Sequence, residues 1–211
     1  MRKMNVVVTA ALFIFVMIPL VTDAQMLPRG VVKFTGKEIR GDQQTGLMVI
    51  PSKRIPFITV GSLYHGFTVL LPYSESWELE SGTELPLLAK EKYFIASINI
   101  GLSPIRTPTE YYEKLLENMK KSGEFELQKV EIVKIADTQK PILRYQVRKA
   151  LMPEQSRDMN RWRWNYWVAV QYGPAWYALH LSVGNEDEDT LRREERRIMF
   201  ALDSLTPGPL K

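Results

Sequence analysis

Cysteine is absent from the 211-residue sequence, and histidine occurs only twice, as His65 and His180. A chain without cysteine forms no disulfide and has no thiolate metal ligand, no cysteine nucleophile and no cysteine for lipid attachment. A zinc site would have to rely on imidazole and carboxylate groups, and two histidines supply few of the former. The folded protein must therefore be stabilised by packing alone.

A surplus of charge of one sign is also missing. The chain has 28 basic and 24 acidic residues and a net charge of +4, which is too mild for a nucleic-acid-binding domain of this size. It contains no glycine-rich phosphate loop, no G-x-S-x-G elbow and no H-E-x-x-H motif. The sequence therefore predicts no nucleic-acid partner, no catalytic residues, no metal site and no cofactor.

The N-terminal segment has the three parts of a secretion signal. Arg2 and Lys3 precede an apolar run from 6 to 21, and small residues stand before a cleavage position after Ala24. The alternative is an uncleaved membrane anchor, but a spanning helix needs about 20 apolar residues, and this run is shorter and contains a proline. The sequence predicts a periplasmic or secreted protein, which contacts a membrane only if residues 1–24 are retained.

The rest of the chain divides into an extension and one domain. Residues 25–60 are punctuated by proline and glycine around two short apolar pieces, Leu47–Ile50 and Phe57–Val60, which predicts an N-terminal extension with short strands. Residues 61–207 are predicted to form a single α+β domain. Its apolar and β-branched segments predict strands at 67–71, 93–100, 128–136 and 142–150.

Two amphipathic helices are predicted in this domain. Thr107 is placed as the N-cap of the first helix, with Pro108 at the first helical position and Glu110 completing a capping box. Its apolar stripe consists of Tyr112, Leu115, Leu116 and Met119. The second helix covers about 187 to 205. Because most neighbouring strands are joined by short turns, the order of elements predicts an antiparallel β-sheet with helices packed on it.

The stretch from 161 to 183 alternates between two faces and predicts a β-hairpin. A Gly-Pro turn joins its two strands, and pairing Tyr172 with Ala175 sets the register. In that register Trp167 lies opposite His180.

Three segments together resemble the PsbP-like and Mog-like fold family, which includes bacterial envelope proteins of the DcrB type. They are Gly66-Phe67-Thr68-Val69 with Pro72 and Trp77, the helical segment Thr109–Met119, and the terminal segment Ala201–Leu205. The resemblance covers about residues 62 to 206 and implies an α/β/α sandwich, in which helices flank an antiparallel sheet. Known members are accessory or binding proteins, so it also implies a non-enzymatic role, although fold alone does not transfer function. The chain departs from the bacterial pattern in lacking the lipoprotein cysteine.

One face of the predicted hairpin is a candidate binding surface. It carries Arg161, Arg163, Trp167, Trp176 and His180. Arginine and tryptophan on adjacent strands can stack and make cation–π contacts, and both are enriched at binding hot spots. The sequence therefore predicts that this face binds a protein partner or an envelope component. In the alternative interpretation, a helix covers the face, the tryptophans belong to the core and the arginines lie at its edge.

A second functional hypothesis places a pocket between the sheet and a helix. There His180 and a carboxylate such as Glu113 would meet, as in a small-molecule binder or a hydrolase. A general base needs a substrate group within reach and an orienting partner. The sequence identifies neither, so the binding hypothesis is the leading one.

Overall fold

We describe the protein from a computed structural model. The structure describes residues 30–33, 40–51, 56–74, 77–91, 94–102, 105–122, 125–134, 140–149, 163–184 and 188–209. The predicted signal segment 1–24 and Arg161 lie outside these residues.

The described residues form short and medium strands together with two helices. The strands are β1 (Gly30–Lys33), β2 (Arg40–Gly41), β3 (Leu47–Pro51), β4 (Phe57–Ser62), β5 (Phe67–Pro72), β6 (Glu78–Ser81), β7 (Leu87–Lys90), β8 (Phe94–Gly101), β9 (Phe125–Lys134), β10 (Pro141–Lys149), β11 (Arg163–Tyr172), β12 (Ala175–Gly184) and β13 (Thr206–Pro207). The helices are α1 (Pro108–Ser122) and α2 (Glu188–Ser204). The predicted α+β class is confirmed.

The strands build two antiparallel sheets. One has eight strands in the order β1-β6-β7-β8-β12-β11-β10-β9, and the other has five in the order β13-β5-β4-β3-β2. The sequence predicted a single sheet flanked by helices, so the second sheet is a correction. It arises because β3 and β4 pair with β5 as a meander instead of joining the larger sheet.

The two faces of the eight-stranded sheet have different neighbours. Its inner face packs against the five-stranded sheet and α2, which together form the main core around Ile58, Ile98 and Leu202. Its outer face packs against α1 in a smaller cluster. The backbone N–H of Leu70 donates to Ser204 Oγ at 2.8 Å and fastens the end of α2 to β5.

The predicted N-terminal extension contributes directly to this core. Strands β2 to β4 supply three of the five strands of the smaller sheet, and Val49, Ile58 and Val60 are fully buried. The predicted boundary between residues 60 and 61 therefore falls inside β4, and residues 40–51 and 56–60 pack with the domain.

Helix α1 begins as predicted. The backbone N–H of Glu110 donates to Thr107 Oγ1 at 3.2 Å, and the backbone N–H of Thr107 donates to Glu110 Oε2 at 3.0 Å. This reciprocal pair satisfies two amides that a helix N-terminus otherwise leaves without a partner. The capping box fixes where α1 starts, and so determines which residues it presents to the sheet.

The hairpin register is also confirmed. Tyr172 pairs with Ala175, and Trp167 pairs with His180. Gly173 adopts a φ of 57° in the turn, a left-handed conformation that glycine takes up without steric penalty. The register places every second residue of β11 and β12 on the outer face.

Strand β9 forms one edge of the eight-stranded sheet and contains a β-bulge. Glu131 pairs with Arg144 and Gln128 pairs with Gln146, so residues 129–130 lie opposite a single residue of β10. Lys129 has a φ of 48° at this point. An extra residue of this kind bends an edge strand and increases its twist.

Candidate binding face on the outer side of the sheet

The outer face is organised in rows that run across the strands. Trp167 lies opposite His180, which lies opposite Ser97. Asn165 lies opposite Ser182, which lies opposite Ile95. Directly opposed residues of an antiparallel pair share a face, so these rows form one continuous surface from β10 to β7.

Helix α1 covers one part of this surface. It packs on β9, β10 and β11, where Tyr111, Tyr112 and Leu115 join a cluster with Leu143, Tyr145 and Trp167. The rings of Tyr111 and Trp167 stack with their centroids 4.6 Å apart and their planes at 13°. Trp167 is only 3% exposed. It is therefore a core residue, as the alternative interpretation predicts, and not the exposed contact that the leading hypothesis requires.

His180 lies where the covered part of the face ends. Its Nε2 is 3.1 Å from the hydroxyl of Tyr145. Burial raises the pKa of Tyr145 well above its ordinary value, and the neighbouring Tyr111 raises it further. Both tyrosines therefore remain protonated at any physiological pH and serve as neutral hydrogen-bonding groups.

The environment of His180 favours the neutral imidazole. Burial, followed by the positive charge of Arg163, lowers the pKa of His180 to about 4. Glu113 is exposed on α1, and among the described residues no hydrogen bond or ion pair joins it to His180. The described contacts thus give His180 no orienting carboxylate of the kind that the pocket hypothesis requires.

Arg163 is engaged with its neighbours on the same face. Its Nε donates to Ser182 Oγ at 2.9 Å, and its backbone carbonyl accepts from Asn165 Nδ2 at 2.9 Å. Burial lowers the pKa of this guanidinium, which nevertheless stays charged because its ordinary pKa is so high. Arg163 thus lies half-buried at the margin of the surface, with its charge directed along β12.

The remaining part of the outer face is what we call the open half. It comprises the outer-face residues of β7, β8 and β12, namely Leu88, Lys90, Ile95, Ser97, Asn99, Trp176, His180 and Ser182. Asn99 and Lys90 are exposed, and Trp176 is partly exposed. Trp176 belongs to neither hydrophobic cluster of the described residues. Sequence reasoning singled out Trp176 and His180 but missed Asn99, although the alternation of the predicted strand 93–100 places it on one face with Ser97.

The inner face carries a separate polar group under α2. Arg144 donates through Nε to Glu131 at 2.7 Å and also pairs with Glu195. Its guanidinium lies 5.3 Å from the ring centroid of Trp164, and Lys129 Nζ lies 5.5 Å from it. These contacts tie β9, β10, β11 and α2 together and point to a structural role.

Tyr166 provides a test of this inner group. It is fully buried, and its hydroxyl lies near Arg144 without a hydrogen bond of good geometry to any described residue. Tyr166→Phe is therefore expected to leave the free energy of unfolding unchanged or to raise it by about 1 kcal/mol, because it removes an unsatisfied polar group. The matched change Tyr145→Phe removes a hydroxyl that contacts His180. It should lower the free energy of unfolding by about 1 kcal/mol. Urea unfolding of both variants checks this, and a larger loss for Tyr166→Phe would contradict it.

The described residues contain no group of three or more side chains that could hold a metal ion. Within the same ranges neither helix has the length and apolar character needed to cross a membrane.

Comparison with known proteins gives a likeness of fold. No protein-family model matches the chain, and no curated protein matches it. The solution structure of cyanobacterial PsbP (CyanoP) from Synechocystis sp. PCC 6803 is similar over 77% of this chain and 93% of that one, with a TM-score of 0.40 and 11% identity. This match agrees with the PsbP-like fold that the sequence resembles and concerns the fold alone. The Mog-like and DcrB-type parts of the resemblance stay predictions.

Proposed function

We propose that the protein is an exported, non-enzymatic envelope protein that binds a protein partner or an envelope component through the open half. The observation that supports this most is that, within the described ranges, α1 packs on β9, β10 and β11 and no helix packs to a comparable extent on the outer face of β7, β8 and β12. The signal-like segment at residues 1–24 supports a location outside the cytoplasm.

The polar groups of the outer face support binding more than catalysis. Arg163 already donates to Ser182, and His180 already contacts Tyr145. A hydroxyl that accepts from a guanidinium is not poised to attack a substrate, and a largely buried neutral imidazole without a carboxylate lacks the usual partner of a general base. These groups instead hold the margin of the open half rigid, which favours recognition of a partner without reorganisation.

The open half also has the composition of a recognition surface. Trp176 supplies a large aromatic ring at one end, and Asn99, Ser97 and Lys90 supply polar groups in the successive rows that lead away from it. Interfaces commonly combine an aromatic anchor with polar groups, and a few such anchors contribute most of the affinity. The proposed site thus retains Trp176 and His180 of the predicted set, with Arg163 at its margin, and leaves Trp167 out.

Asn99→Arg is the change that tests this proposal. A long charged side chain beside Trp176 in the open half should weaken binding of the captured partner at least about tenfold, which corresponds to about 1.4 kcal/mol. Asn118→Arg introduces the same side chain at an exposed position of α1 and should bind like the parent. The partner is first captured from the native envelope, identified and purified, and its affinity for each variant is then measured.

Equal affinities for the parent and Asn99→Arg would sink the proposal, provided that circular dichroism shows the variant folded. Mass determination of the N-terminus of envelope material checks the export part, which requires the mature chain to begin after Ala24. A full-length product in the cytoplasm would contradict that part alone.

A further inference from the structure

We infer that the Trp176 end of the open half binds a neutral, hydroxyl-rich chain, that is, a carbohydrate. The inference rests on the proposed function and narrows its ligand from any envelope component to a glycan. It depends on the side chains that surround Trp176 in the sheet.

Trp176 has no side chain directly opposite it on β8. Its partner there is Gly101, and its partner on β11 is Gln171. The next row is formed by Ala169 and Ala178, which pack against the cluster under α1. Since direct cross-strand neighbours lie about 5 Å away, the β8 side of the Trp176 row is left without a side chain. Trp176 is partly exposed, so we expect a flat ligand to reach the indole from that side.

Carboxamides stand on both sides of this ring. Gln171 is exposed beside it, and its Nε2 donates to the carbonyl of Gly173 at 3.2 Å, which orients the amide. Asn99 is exposed and lies opposite Ala178, diagonal to Trp176. A carboxamide offers both donors and an acceptor, so it can meet a hydroxyl in either direction. Two of them beside an aromatic face suit a ligand with apolar C–H faces and hydroxyl edges.

The described strand residues beside Trp176 carry no charge. Its cross-strand partners are Gln171 and Gly101, and the described diagonal positions hold glycine, alanine and asparagine. Nucleic acid and charged peptides are recognised mainly by opposite charges, which these positions do not supply. A neutral ligand therefore fits the site best.

A proline-rich peptide is the main competing ligand, because such peptides also stack on aromatic side chains. Their binding grooves are lined by several aromatic residues. The nearest tyrosines of α1 are unavailable for this, since Tyr111 stacks on Trp167 and Tyr112 packs into the same cluster. A single ring flanked by carboxamides favours the carbohydrate.

Nuclear magnetic resonance of the indole N–H groups can test the inference directly. The chain has five tryptophans, and Trp176→Phe assigns the signal of Trp176. The probes are neutral oligosaccharides of N-acetylglucosamine, glucose, galactose and mannose, together with a proline-rich peptide. At least one oligosaccharide should shift the Trp176 signal in a saturable way and leave the signal of buried Trp167 in place.

Two substitutions and a matched control sharpen the test. Asn99→Ala and Gln171→Ala should each weaken oligosaccharide binding about fivefold or more, the loss expected when one hydrogen-bonding side chain is removed. Asn118→Ala should leave the affinity unchanged. Failure of every oligosaccharide to shift the Trp176 signal overturns the inference, and so does a shift with the peptide alone. If the captured partner still distinguishes Asn99→Arg from Asn118→Arg in that case, the proposed function stands and only its ligand class is wrong.

Discussion

Trp167→Ala is expected to lower the free energy of unfolding by about 3–5 kcal/mol, whereas Trp176→Ala should lower it by about 1 kcal/mol or less. The two tryptophans occupy the same face of one hairpin, but their surroundings differ. Trp167 is stacked on Tyr111 under α1 and is 3% exposed. Its removal leaves a cavity between the helix and the sheet, and α1 loses its principal aromatic contact. Trp176 belongs to neither cluster, so no comparable cavity forms.

Chemical denaturation of the two variants measures this difference. Trp167→Phe serves as the control, because it keeps a ring against Tyr111 and should recover more than half of the loss. Similar destabilisation by Trp167→Ala and Trp176→Ala would mean that both rings are packed alike. The division of the outer face into a covered part and an open half would then be incorrect.

The protonation of His180 is expected to lower the free energy of unfolding by at most about 3 kcal/mol as the pH decreases from 6.5 to about 4. An unfolded chain protonates this imidazole near its ordinary pKa of 6.5, whereas burial and the charge of Arg163 lower the folded value to about 4. Between these values the unfolded state binds more protons, so lowering the pH favours unfolding. One pKa unit corresponds to about 1.4 kcal/mol, which sets the upper limit.

The slope of stability against pH identifies the residue responsible. His180→Gln can still hydrogen-bond to Tyr145 and should flatten the slope between about pH 5 and about pH 7. Burial also lowers the pKa of His65, so a smaller slope should remain and disappear in the double variant with His65→Gln. Carboxylates with lowered pKa, such as Asp42, act only below this range. The same slope in His180→Gln as in the parent would show that this imidazole is not buried in the folded protein.

The sequence specified well those features that depend on local patterns. The period-two alternation and the Gly-Pro turn determined the hairpin register, down to the pairing of Trp167 with His180. The capping box located the start of α1, because Thr107 and Glu110 satisfy each other's amides whatever the helix packs against. Both features are governed by contacts between residues close in sequence.

Features that depend on distant packing were missed. The apolar stripe of α1 was assigned to Tyr112 and Leu115 without Tyr111, because only the position of Trp167 decides that Tyr111 also faces the sheet. Strands β6 and β7 have four residues each, too few for a periodic signal. The burial of Trp77 was not predicted either: it lies between β5 and β6, is 1% exposed, and its Nε1 donates to the carbonyl of Pro72.

The contact between His180 and Tyr145 could not have been found from sequence either. Tyr145 is on β10 and His180 is on β12, with β11 between them. The order of strands in a sheet depends on how the two sheets and α1 bury their apolar faces against one another. No local sequence motif specifies that order. The open half has the same origin, since it exists only because α1 sits on β9, β10 and β11.

The irregularity in β9 has a consequence for how copies of the protein behave together. A long strand at the border of a sheet ordinarily offers a template on which another chain can continue the ladder. The pairing register of β9 shifts at Lys129, because residues 129 and 130 together lie opposite a single residue of β10. An incoming strand aligned with the first stretch would meet the second with its amides and carbonyls misplaced. A bulge of this kind is one of the features by which an edge strand disfavours pairing with another copy, and we expect it to act so at β9.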